Sequence, residues 1–158
     1  SSRFFVADEI AHLQDHSIEV LLPALHYQFG VSPIVPILVG HLDANALIPI
    51  ADAIIGACGE LVYLVVVSAN ISGFTDPKEA DENARKVIRL IMTSPGPQIA
   101  SNIATFERPP RSLWPLALGH IIAGVHARPN ILSRGTFDTE YDNSVGTVVF
   151  SSIAYRND

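Results

Sequence analysis

Apolar positions along this chain change their spacing several times, and each change predicts an element. From Ser17 to Phe29 they fall at 18, 21, 22, 25 and 29, the spacing of one helical face. Ser17 is placed to cap that helix, Glu19 lies in its first turn where the helix dipole favours a negative charge, and Gly30 is a stop signal. Pro23 falls inside, so it must kink the helix or move its start. The β-branched run Pro33 to Gly40 predicts a strand, with Pro36 implying an edge, a bulge or a strand start. Leu42 to Cys58, rich in Ala and Ile, predicts a second helix ending near Gly59, with Asp43 and Asn45 as candidate caps. Leu61 to Ser68 is apolar on both faces, as the central strand of a parallel sheet requires.

After a loop over 69–75, Asp76-Pro77 opens a helix running to about Met92, because Asp accepts from the first free N–H groups and Pro needs no partner in the first turn. Ser94 to Arg111 is polar, holds four prolines and predicts an ordered excursion. Leu113 to Val125 predicts a fourth helix. Ile131-Leu132 is a short apolar segment, Gly135 to Asn143 a turn-rich loop, and Val145 to Tyr155 a final strand. This order predicts an α/β fold, a layered mixed or parallel sheet flanked by helices, in one domain over residues 1–158. Sites in such sheets lie beyond the carboxyl ends of the strands, which puts the loop from Ser68 to Phe74 in the site region.

Composition narrows the functions available. Apolar residues make up 48% of the chain and charged residues 16%, leaner in charge than most soluble surfaces. A surface short of charge predicts cover by a protein partner or by copies of the chain itself. The net charge of −6, with scattered Lys and Arg, argues against nucleic acid. One cysteine, Cys58, leaves no internal disulfide and no cysteine-rich zinc site; in its apolar run it reads as a buried, inert thiol. The expected compartment is therefore intracellular, cytoplasmic or organellar. No apolar stretch reaches the length of a transmembrane helix, and the first residues lack the core of a signal peptide.

The candidate chemistry is concentrated between His12 and Glu19, where two His, one Asp and one Glu stand close together. His12 and His16 are i, i+4 and would form a metal-binding pair on a helix that included both. His16 and Glu19 are i, i+3 and share a face only if the helix already includes His16. Neither pair has a third ligand at a recognisable spacing, whereas catalytic zinc and non-haem iron take about three protein ligands. The plain alternative is that His16 hydrogen-bonds a carbonyl or pairs with Asp15 or Glu19. His26, His41, His120 and His126 lack carboxylates at ligand spacing, and for His120 and His126 packing is the better reading. Ser17 beside His16 points away from it, so the two do not form a nucleophile and base. Ser1 would need a processed chain and a nearby base to act as a nucleophile. No nucleophile elbow, phosphate loop or dinucleotide fingerprint occurs.

The run Ala11-His12-x-x-Asp15-His16-Ser17-Ile18-Glu19-Val20-x-Leu22-Pro23-x-Leu25 resembles the signature of the Memo-like proteins, also called AmmeMemoRadiSam system protein B. Ile34 to Gly40 resembles that family's I-V-P-[IV]-L-[VI]-G strand. Val66 to Phe74 resembles its S-S-D-x-[SC]-H-[YW] loop, and Asn143 to Phe150 its closing strand. The resemblance implies the fold of the class III extradiol dioxygenases, with a metal pocket. That pocket takes an N-terminal His, the His of the E-H-S-I-E motif and a Cys near the C-terminal helix; an Asp and a His from the loop line it. Carried over, His16 matches the motif His, Asn70 stands at the loop Asp and Gly73 at the loop His, with Ser72 between. Arg111 falls near the Cys, and the N-terminal His has no counterpart, as though the first third of a typical member preceded this chain.

The resemblance thus implies a vestigial metal position at His16 in a pocket lined by His12, Asp15, Glu19, Asn70, Ser72, Gly73 and Arg111, with the Arg111 guanidinium balancing Asp15 or Glu19 in place of a metal. The expected function is a non-catalytic structural or interaction subunit without a cofactor. The alternative is a divergent iron, copper or zinc oxidoreductase whose missing ligands come from another chain.

Overall fold

Asp8 begins the first helix by accepting hydrogen bonds from the N–H groups of Ile10 and Ala11, each at 3.1 Å. The computed structural model describes residues 4–69, 71, 76–103, 113–124, 127–141 and 144–157. They divide into two compact units, Ser1–Gly40 and His41–Asp158.

In the first unit, α1 (Glu9–Leu13) is followed by a 3₁₀ turn (Glu19–Leu21) that runs into α2 (Leu22–Phe29). Pro23 occupies the first turn of α2, so the proline moves the helix start rather than kinking it. Ser17 is consequently not the cap of this helix. Gly30 ends α2 with φ of 70°, a conformation costly for any side chain with a Cβ. The Pro33–Gly40 run, expected as a strand, joins no ladder among the described residues. Pro33 and Pro36 each lack an N–H, which weakens it as a ladder member. Neither α1 nor α2 contains a buried residue.

The second unit begins with Asp43, whose carboxylate accepts from Asn45 N–H at 2.9 Å and caps a 3₁₀ turn (Ala44–Ala46) leading into α3 (Leu47–Cys58). Gly59, at φ 56°, stops α3 where expected, and Cys58 is half-buried rather than buried. Asp76 caps α4 (Pro77–Thr93) through the N–H groups of Lys78 and Glu79. Ala80, Ala84, Val87, Ile88 and Ile91 then share one buried helical face. The proline-rich excursion contains α5 (Gly96–Ile103), with Ile99 and Ile103 in the core. Helix α6 (Leu113–Ala123) packs on α3 and α5 and buries Leu113, Trp114, Ala117, Leu118 and His120.

Helices and strands are both present, consistent with the expected α/β fold, but the expected mixed or parallel sheet is not formed among the described residues. They hold one antiparallel pair, β1 (Ala127–Tyr141) with β2 (Ser144–Asn157), docked on α4. β2 matches the expected final strand. β1 runs through the segment expected as a turn-rich loop. Gly135 makes no turn there: the Phe150 ring of the facing position covers the space that a Gly135 Cβ would take. The register slips between Ile131 and Ser133, leaving Leu132 as a bulge. Arg134 on β1 pairs with Asp81 on α4, which also takes Arg85 Nε at 2.5 Å.

Leu61–Val67, within the run expected as a central strand, joins no ladder among the described residues. Every one of its side chains is exposed, from 37% at Val67 to full exposure at Val62. Its Val67 end rests on α6, where a Cβ at Gly119 would lie 2.6 Å from Val67 Cγ2. Gly119→Ala is therefore expected to cost about 1–3 kcal/mol by overpacking, against a helix-propensity gain of about 1 kcal/mol. Thermal unfolding of G119A, V67A and the double variant checks this, since a shared clash makes the double variant more stable than additivity allows. Among the described residues no helix is long and apolar enough to cross a membrane.

Candidate functional site

The first unit folds its His-Asp-His-Ser-Ile-Glu segment around a shallow concavity of about 220 Å³. Its lining is His12 from the last turn of α1, Asp15, Ile18, Glu19, Leu22 at the start of α2, and Ile34 and Pro36 of the extended run. Apolar side chains supply most of the wall, with one imidazole and two carboxylates placed on it. Ile18, Leu22, Ile34 and Pro36 were not among the expected lining residues. Their signal was the apolar spacing along Ser17–Phe29, which shows a face but not what the face encloses.

Asp15 is held by the residue two positions on. Ser17 N–H donates to its Oδ1 at 2.8 Å, and the Ser17 hydroxyl donates to the same oxygen. The hydroxyl bond, then the backbone bond, hold the Asp15 carboxyl below its ordinary value of 3.8, with His16 and His12 adding smaller contributions. The carboxylate thus closes a local turn, the role usual for Asp before a helical segment.

His16 does not line the concavity. Its Nδ1 pairs with Glu19 Oε1, and both side chains are well exposed. This is the plain alternative anticipated for the motif histidine, an i, i+3 pair worth little in water. The His12–His16 metal pair is likewise not built. Helix α1 ends at Leu13, so the two imidazoles are not carried on one helical face. Among the described residues no three His, Cys, Asp or Glu side chains are placed to hold a metal ion. The donors on the wall, His12, Asp15 and Glu19, therefore do not make a ligand set as they stand. Asn70, Ser72, Gly73 and Arg111 lie outside the described residues, and with them the expected Arg111 ion pair.

Against known proteins, a family model described as Memo-like protein matches residues 1–105. A MEMO1 family protein of Thermoplasma acidophilum is 30% identical over 93 residues, which is 58% of this chain and 34% of that protein. One from Methanobrevibacter smithii is 37% identical over 83 residues, 51% of this chain and 29% of its own length. One from Thermoplasma volcanium aligns with 97% of this chain at 31% identity, and the chain spans 57% of it. No solved structure gives a significant match.

Proposed function

The chain belongs to the Memo-like family, and from that premise we propose that it acts as a non-catalytic interaction subunit with a degenerate metal pocket on an extradiol dioxygenase-like fold. The observation that carries this reading is the Leu61–Val67 segment, apolar, exposed, held at its Val67 end and unpaired among the described residues. Its occupant is the same strand of a second copy, added edge to edge. An antiparallel register centred on Leu64 sets Val62 opposite Val66, Tyr63 opposite Val65 and Glu60 opposite Ser68, so no like charges meet and every facing pair from 61 to 67 is apolar. Closed two-fold pairing of this kind is the commonest oligomer.

A second reading is favoured by the three donors on the concavity wall: a metal-dependent oxidoreductase completed by ligands from another polypeptide. Elemental analysis of the purified chain, alongside sedimentation over a range of concentrations, separates the two. A concentration-dependent dimer without stoichiometric metal supports the interaction subunit. Stoichiometric iron, copper or zinc that disappears in His12→Ala would overturn it. His16→Ala is expected to leave the melting temperature unchanged, because both partners of its ion pair are exposed.

A further inference from the structure

His120 is 4% exposed, and both of its ring nitrogens are engaged. Nε2 lies 2.7 Å from the backbone carbonyl oxygen of Ser94, the residue that ends α4. Nδ1 lies 2.9 Å from the phenol oxygen of Tyr155 on β2. The Ser94 hydroxyl is itself held at 2.7 Å by Asn102 Nδ2 of α5. A carbonyl oxygen only accepts, so Nε2 carries the hydrogen. In the neutral ring Nδ1 must then accept, and Tyr155 donates. One imidazole therefore joins α6, the end of α4 and the last part of β2, contacts 26 and 35 residues away in sequence.

We propose that this contact is an acid-operated latch: a proton arriving on His120 Nδ1 removes the acceptor that Tyr155 uses and releases the Tyr155 end of the β1–β2 hairpin from α6.

With Nδ1 protonated, both ring nitrogens donate. Tyr155 can then only accept from His120, and its own O–H loses its acceptor in a partly buried position. Among the described residues no carboxylate is hydrogen-bonded to the ring to balance the added charge. Helices α5 and α6 carry no other ionisable side chain. On α3, Asp52 is exposed; on α4, Glu82, Lys86 and Arg89 are exposed, and Asp81 is committed to Arg85 and Arg134. Burial holds His120 below its ordinary 6.5, although the Ser94 carbonyl favours the charged ring, and burial pushes the Tyr155 phenol up to about 12.

The sign follows. The unfolded or released histidine binds a proton near 6.5 and the latched one only at lower pH. The latch is therefore fully stabilising above about 6.5 and weakens as pH falls from there toward the lower folded value. The Asp81 carboxyl, held below 3.8 first by the Arg85 hydrogen bond, keeps its ion pairs through this window. Acid between about 4 and 6.5 therefore acts on one end of the hairpin.

Amide hydrogen exchange on the full chain, corrected for intrinsic rates, tests this. Between about pH 7.5 and pH 5, protection at Ile153–Asn157 and Ala127–Ile131 is expected to be lost progressively, while Thr147–Val149 keeps its protection. His120→Gln, whose amide can donate to Ser94 and accept from Tyr155 without titrating, is expected to make the profile flat. An unchanged wild-type profile, or the same pH dependence in H120Q, overturns the latch. Should H120Q fail to fold, the nitrogen shifts of His120 in the native chain decide. Titration at the pH of release supports the latch, and no titration across that pH overturns it.

Discussion

Leu64→Lys is expected to abolish self-association while leaving the isolated chain as stable as before. In the register proposed, residue 64 faces its own counterpart across the two-fold, so the substitution sets two ammonium groups opposite each other in an apolar strip. It also removes the apolar contact of two leucines at the centre of the pairing, the position where interface energy concentrates. The loss is expected to exceed about 3 kcal/mol, more than a hundredfold in Kd. Within one chain Leu64 is 65% exposed, and an exposed substitution stays within about 0.5 kcal/mol of neutral. Sedimentation equilibrium and thermal unfolding on the same sample read the two effects separately. Leu64→Thr, uncharged and β-branched, is expected to keep the dimer. An L64K chain that associates like the native one would remove the strand from the proposal, and a native chain that stays monomeric at every concentration would remove the proposal itself.

Trp114→Ala is expected to be among the most destabilising single changes in the chain, at about 3–5 kcal/mol. Trp114 is 4% exposed in the first turn of α6 and meets the His41 ring edge-on, with centroids 5.3 Å apart at 84°. Deleting the indole opens a cavity between elements that packing holds in place. That loss is a large part of the 5–15 kcal/mol by which a domain of this kind is stable. Trp114→Phe separates volume from polarity. The indole Nε1–H is buried and finds no acceptor among the described residues. Removing it relieves a cost of about 1–3 kcal/mol that partly offsets the smaller ring. W114F is therefore expected to melt far closer to the native chain than W114A. Equal losses in the two variants would show that the Nε1–H has a partner.

The helices of the second unit were legible because their signals are local. Asp76-Pro77 sets the start of α4 within four residues, and Gly59 ends α3 through a conformation that other residues avoid. The strands were less so, since pairing depends on residues far away. Leu61–Val67 has the composition of a strand, but a ladder needs a neighbour, and none stands beside it among the described residues. β1 was hidden by its polar composition: Gly135 reads as a turn until Phe150 is seen covering it. At the concavity, the residue types were visible but their directions were not. Whether His12 and His16 share a face depends on α1 ending at Leu13, which the apolar spacing does not mark. The His120–Tyr155 contact left no trace in the sequence, because nothing local couples residues 35 apart.

The open strand also bears on how the chain must be handled by a cell. Seven consecutive residues, Leu61 to Val67, carry no charge and no proline and combine high β-propensity with hydrophobicity, the composition that stacks into cross-β fibrils. Until that edge is paired, each newly made chain presents a template for any other chain with a similar segment. Glu60 is the one charged residue bordering the segment, a single gatekeeper at one end. Yield of folded protein should therefore fall steeply with synthesis rate, and chaperones that bind extended apolar peptides should find their main site at Leu61–Val67.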